Sequence, residues 1–180
     1  CMALQCKKIV WLEKYKSEFA ERKASDTVLE NGKQVGNLAK KLFVDCEDIE
    51  FNKNFDIMVE QTKKKLENKP NVIAEASFNY NNNFCSVDIL KNDLDGIEIY
   101  EVKSSTKIDD IYLDDISYQY YILNKLQFNI KKACIIYVNN KYVKQGNLEL
   151  NRLFNIEDVT MIAKEKQKEI ENNIYELNKY

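Results

Sequence analysis

The sequence has no histidine among its 180 residues. This removes a Ser-His-Asp triad, a Cys-His dyad, histidine-zinc sites and imidazole acid-base chemistry together. Carboxylates, lysine, tyrosine and thiols are left to carry any chemistry. Glycine and proline are scarce, at 4 and 1, so long regular elements are expected and no Pro/Gly-rich linker marks off a second domain. No apolar run approaches the roughly 18 residues that span a bilayer, and the N-terminus lacks a signal-peptide pattern. A cytoplasmic protein with no membrane partner is the expectation. The 5 cysteines are odd in number and lack framework spacing, which argues against a disulfide scaffold and fits a reducing compartment. The chain begins with Cys1, which fits a processed or excised piece of something longer. A formal net charge of -2 gives no global basic field to announce a nucleic-acid partner; the local lysine clusters at 63–65 and 131–144 read first as solvated faces.

What is present suits one globular domain: 44% hydrophobic and 31% charged residues are ordinary for a chain able to bury a substantial core. Apolar residues at helical spacing predict helices over 7–23, over 28–43 with Asp26 as N-cap, and over 52–67, ended by Pro70. Gly32 and Gly36 fall four apart on one face of the second helix, where close helix packing is the expected reason for them, since helical glycine costs about 1 kcal/mol relative to alanine. Three strands follow, 72–80, 84–90 and 97–104, joined by an asparagine turn at 81–83 and a polar turn of about five residues at 91–96. A helix over 110–127 then leads to the apolar strand 133–138, a crossover whose strands should be parallel and right-handed. An edge element at 148–154 and a closing helix over 157–179 complete the chain. The fold class is α/β, a mixed central sheet flanked by helices, in a single domain over 1–180: a helical part 7–67, a core 72–154 and the closing helix.

The candidate chemistry lies on the second hairpin. Strand side chains alternate, so Glu101 and Lys103 share one face beside the strand that carries Asp88. Two carboxylates on adjacent strands can hold a hard divalent cation such as Mg²⁺, and a nearby lysine can orient a water or stabilise charge on a phosphoryl oxygen. The same three residues also suit a solvated face with ion pairs worth under about 1 kcal/mol. Spacing alone leaves both readings open.

Three phrases in order extend the pattern: Ser86-Val87-Asp88-Ile89-Leu90, Tyr100-Glu101-Val102-Lys103-Ser104-Ser105-Thr106, and Asp114-Asp115-Ile116-Ser117-Tyr118-Gln119-Tyr120-Tyr121-Ile122-Leu123. Together they resemble the PD-(D/E)xK nuclease superfamily, and within it the RecB-like branch that includes CRISPR-associated exonucleases. The resemblance implies a restriction-endonuclease-like core and a Mg²⁺- or Mn²⁺-dependent hydrolase acting on the phosphodiester bonds of DNA. By the same likeness Asp88, Glu101 and the Val102 carbonyl would ligate the metal and Lys103 would position the attacking water. Gln119 and Tyr121 would steady Lys103 or contact a phosphate. The branch often places a metal-binding histidine in its first helical motif; here Gly32-Lys33-Gln34-Val35 leads to Gly36, and Glu75 is the candidate to help in its stead. Members with an iron-sulfur cluster carry one cysteine near the N-terminus and three near the C-terminus. Cys6 stands where the first would be, but no cysteine follows Cys134, so no cluster is expected in this chain. Cys46, Cys85 and Cys134 read as small apolar core residues. The rival reading is a nucleic-acid-binding or assembly module that keeps the fold without turnover.

Overall fold

A computed structural model describes residues 26–68 and 71–177. The expected helix over 7–23, Cys6 and Pro70 lie outside the described residues. The elements in chain order are α1 (Asp26–Lys40), β1 (Cys46–Asp48), α2 (Phe55–Glu67), β2 (Val72–Tyr80), β3 (Asn83–Asp93) and β4 (Gly96–Lys103). They continue with α3 (Asp110–Lys125), β5 (Ile130–Val138), α4 (Leu150–Leu153), β6 (Phe154–Asp158), α5 (Thr160–Glu165) and α6 (Gln167–Leu177). The six strands form one sheet in the order of the chain. β2, β3 and β4 make an antiparallel meander, β1 joins β2 and β5 joins β4 in parallel, and β6 closes the far edge antiparallel to β5. This is a mixed α/β fold with a central sheet flanked by helices.

Alternation along the strands sorts the core into two layers. Ile97 and Ile99 of β4 join Ile73, Val87 and Ile135 in the larger cluster, packed on Ile116, Tyr120 and Leu123 of α3 and on Val159, Ala163 and Ile170. Tyr100 joins Val72, Ile89 and Ile136 in the smaller cluster, covered by Ala39, Val35 and Leu38 of α1. α3 is the most deeply seated helix, with seven of its residues buried from Ile116 to Leu123. β1 escaped the sequence reading because its three residues, Cys-Glu-Asp, are short and mostly charged; its backbone pairs with β2 all the same.

Both hairpins turn tightly. Asn81 and Asn82 have φ of 48° and 61°, the left-handed pair that a two-residue turn matching the strand twist requires and that asparagine tolerates. The second hairpin differs from the expected loop of about five residues: pairing continues to Asp93↔Gly96, leaving only Leu94 and Asp95 to turn. The polar residues taken for a loop are charges paired between strands, with Lys131 of β5 at 3.3 Å from Asp93 and 2.7 Å from Asp95. Gly96 is required there. Its φ is +142°, and a Cβ would stand 2.4 Å from the Asn129 carbonyl oxygen.

Other boundaries move for local reasons. α2 begins at Phe55 because the Asn54 side chain accepts from the Asp56 N–H, an N-cap. The described part of α1 already begins at Asp26, expected to be its cap. The edge element at 148–154 is a helical turn, and the edge strand follows it at Phe154–Asp158. The closing helix is interrupted: Asp158 is still in β6, its carboxylate accepts from the Thr160 N–H and hydroxyl, and a break at Lys166 separates α5 from α6.

Gly96→Ala is expected to cost about 2–4 kcal/mol, because backbone strain and a steric clash act together. Urea unfolding followed by circular dichroism measures this, with Leu94→Lys at the fully exposed turn position as the neutral comparison.

Candidate active site

The sheet splits where the chemistry was expected. β3 and β4 pair only from Ile89↔Tyr100 to Asp93↔Gly96. Beyond that point the Val102 N–H donates to Asp88 Oδ2 at 2.7 Å, so a side chain satisfies a backbone donor that the ladder leaves unpaired. On the other flank, Ala74↔Ile89 and Ala76↔Val87 bracket Glu75, which stands opposite Asp88 and takes a left-handed φ of 57°. The alternation slips at both residues: Val87 and Leu90 lie in the α3 layer, Ile89 in the α1 layer, and Ile73 and Ala76 both in the α3 layer. A non-glycine residue held in this conformation costs about 1 kcal/mol or more.

β4 keeps its alternation and aims Glu101 and Lys103 toward α3. Glu101 is only 7% exposed. Its Oε1 lies 2.6 Å from Lys103 Nζ, and its Oε2 accepts from Gln119 Nε2. Lys103 also pairs with Asp115 Oδ2 at 2.9 Å and stands 5.0 Å from the centre of the Tyr112 ring. Tyr112, Asp115 and Gln119 are three and four apart, a single face of the helix.

A cleft of about 530 Å³ opens between the sheet and α1. Glu75, Asp88, Glu101 and Lys103 line it from the sheet, and Gly32, Lys33, Gly36 and Lys40 from the helix. Lys40 pairs with Asp48 and stands 3.7 Å from Glu75 Oε1. Close packing of Gly32 and Gly36 does not involve the described residues, among which a Cβ at either position would meet nothing within 4 Å.

Burial, then the neighbouring Glu101 charge, push the Asp88 carboxyl well above its ordinary value, while the Val102 N–H pulls the other way. Glu75 is raised by burial, with Lys40 opposing and Asp48 and Glu101 adding. Burial works against the charge on Lys103, but Glu101 and Asp115 more than offset it and hold its pKa above the usual lysine value. Lys103 is therefore an ammonium at neutral pH. The cleft thus carries crowded carboxylates held beside one fixed cation.

Among the described residues no three His, Cys, Asp or Glu side chains are grouped to cage a metal ion. A hard cation that keeps several waters needs only one or two carboxylates, the number that Asp88 and Glu101 can supply. An ion there would offset the burial, and after it the Glu101 repulsion, that raise Asp88, and Lys103 would compete with it for Glu101 Oε1.

Of the residues expected here, Asp88, Glu75, Glu101, Val102, Lys103 and Gln119 do meet. Tyr121 does not: its hydroxyl is 3.4 Å from Glu171 Oε1 and its ring lies 5.1 Å from Lys125 Nζ, on the side of α3 that faces α6. Two residues along a helix is about 200° of rotation, so Gln119 and Tyr121 cannot serve one site together. Asp115, Tyr112 and Lys40 were missed, although the four-residue step from Asp115 to Gln119 signals a shared face. Burial pushes the Cys85 thiol up to about 12 and that of Cys134 to about 11, as suits apolar packing. Among the described residues no helix is long and apolar enough to cross a membrane. Comparison with protein-family models, with curated proteins and with solved structures finds no match to this chain.

The raised Asp88 pKa has a sign in stability. Between the unfolded value of about 3.8 and the raised folded value the native state holds a proton that the unfolded chain releases, so stability falls as pH rises through that window. Asp88→Asn keeps an oxygen for the Val102 N–H and removes the charge. Its urea midpoint is expected to exceed that of the unmutated protein at pH 7, with the difference shrinking as pH approaches 4.

Proposed function

We propose that this chain is a metal-dependent nuclease that hydrolyses phosphodiester bonds of DNA, with the restriction-endonuclease-like core of the PD-(D/E)xK superfamily. The observation that carries the reading is the meeting of Asp88, Glu101 and Lys103 in one cleft, where β3 and β4 part. Asp88 and Glu101 would hold Mg²⁺ or Mn²⁺, with the Val102 carbonyl as a further oxygen ligand and Glu75 nearby. When bound, the ion supplies Lewis-acid stabilisation of phosphoryl charge and lowers the pKa of a coordinated water. Lys103 acts as a fixed cation rather than as a base. It orients the attacking water through its N–H groups and stabilises the charge that builds on the phosphoryl oxygens. Gln119 and Asp115 are positioning residues: Gln119 fixes the Glu101 carboxylate and Asp115 holds the Lys103 ammonium. DNA as substrate, and a preference for ends as in the RecB-like branch, rest on the sequence resemblance.

A second reading, a nucleic-acid-binding or assembly module without turnover, draws on one observation. Both oxygens of Glu101 are already engaged, by Lys103 and Gln119. The cost of freeing Glu101 from Lys103 decides between the two.

Labelled linear single- and double-stranded DNA, with a closed circle alongside, is incubated in Mg²⁺ and in Mn²⁺. The unmutated protein should cleave only with metal, and Glu101→Ala and Lys103→Ala should each slow cleavage by roughly 10²-fold or more. Sparing of the circle would mark end-dependence. A protein inert with both metals, matched by its variants, rejects turnover. Independently, millimolar Mg²⁺ should raise the Tm of the unmutated protein, as any ligand of the native state does, and should leave Glu101→Ala unchanged.

A further inference from the structure

The carboxylates of the cleft belong to a row that crosses the sheet. Asp48 ends β1 and pairs in register with Ala74, the residue before Glu75 on β2. Glu75 stands opposite Asp88 on β3, and Asp88 binds the Val102 N–H next to Glu101 on β4. Each step from one of these strands to the next is about 4.8 Å, so neighbours in the row repel unless a cation stands near them. One gap in the row is already filled. Lys40 of α1 pairs with Asp48 and lies 3.7 Å from Glu75 Oε1, so a single ammonium serves both carboxylates. Its side chain is 20% exposed, against 57% for Asp48 and 43% for Glu75, so the cation is the most enclosed member of the three. Val35, Leu38 and Ala39 seat α1 on the sheet. Apolar packing, and not the ion pair alone, therefore sets where the ammonium stands. The gap between Asp88 and Glu101 is bridged by no such lysine among the described residues: Lys103 reaches Glu101, but its second partner is Asp115.

Resting on the metal-dependent reading above, we propose that Lys40 is a built-in counter-cation that takes the place of a second divalent ion. It fills the gap between Asp48 and Glu75, withdraws Glu75 from metal binding, and confines the cleft to one ion between Asp88 and Glu101. Two-ion hydrolases hold their ions about 3.5–4 Å apart, a spacing that carboxylates on adjacent strands can serve. A lysine ammonium is charged at neutral pH and brings three donors, so it neutralises such a gap without recruiting an ion. Lys40 is a positioning residue in this scheme: it acts through Glu75 and touches neither metal nor substrate. The hydrolase then works with one ion, and the protein supplies its second cation.

The test counts bound Mn²⁺ by calorimetry and by the electron paramagnetic resonance signal of the free ion, with DNA cleavage measured in parallel. The unmutated protein and Lys40→Arg should bind one ion. Lys40→Met keeps the apolar stem, removes the charge, and should bind two. The double variant Lys40→Met/Glu75→Gln should return to one. Mn²⁺ should also raise the Tm of Lys40→Met by more than that of the unmutated protein, as a further ligand of the native state does. If Lys40→Met fails to fold, Lys40→Gln keeps a donor for the two carboxylates and makes the same comparison. A folded Lys40→Met protein that binds only one ion reduces Lys40 to a structural tie between α1 and the sheet and overturns the proposal. An unmutated protein that binds two ions overturns it as well, and the nuclease reading survives either result. An unmutated protein that binds no ion, beside a Lys40→Met protein that gains one, keeps the counter-cation and removes the metal-dependent nuclease. No ion in either protein overturns both.

Discussion

One hydrogen bond, from the Val102 N–H to Asp88 Oδ2, stands where β3 and β4 cease to pair, and the rest of the site follows from it. Leaving that half-buried N–H without an acceptor would carry part of the desolvation cost of an unpaired donor, so a strand parting there favours an acceptor that is not backbone. Asp88 supplies it, and in doing so draws its carboxylate toward Glu101. The split and the charge crowding have one cause. Glu75, across from Asp88, absorbs the change of direction in its left-handed φ, so the irregularity is shared by two neighbouring strands.

Two desolvated carboxylates beside each other are unfavourable unless cations stand close, and the cations come from different layers. Lys103 comes from β4 itself and is held by α3, whereas Lys40 comes from α1 and is shared with Asp48 at the end of β1. The three-residue strand β1 therefore matters more than its length suggests. It places Asp48 so that Lys40 is held near Glu75. Apolar burial builds the two core layers independently of these charges, which is why the site can be crowded without threatening the fold.

The meander β2–β4, the strand β5 that follows the crossover, and the shared face of Glu101 and Lys103 were legible because each rests on short-range rules: period-2 alternation over 97–103, and an apolar run long enough to be buried at 133–138. Gln119 was legible only through the resemblance, which drew on the phrase Asp114 to Leu123 in the following helix. What escaped was decided by tertiary context. The charges at 91–95 spelled a loop until Lys131 of β5 was there to pair with them. Tyr121 was misassigned through a lapse of helical phase, and the interruption of the tail at Asp158 depends on a capping pair that periodicity averages away.

α3 is gripped along both sides. One face holds Lys103 and Glu101 through Asp115 and Gln119. The others are tied to the tail by Lys166 to Asp114 at 2.9 Å, Gln167 Nε2 to the Ser117 carbonyl at 3.3 Å, and Lys125 to Glu171 at 2.9 Å. A cylinder clamped from two directions has a single rotational setting, and in a helix a step of one residue is about 100°. The tail of the chain, remote from the cleft, thus acts as a locking key for its geometry: it keeps α3 from rolling, and so keeps the ammonium of Lys103 at one bearing relative to the carboxylates.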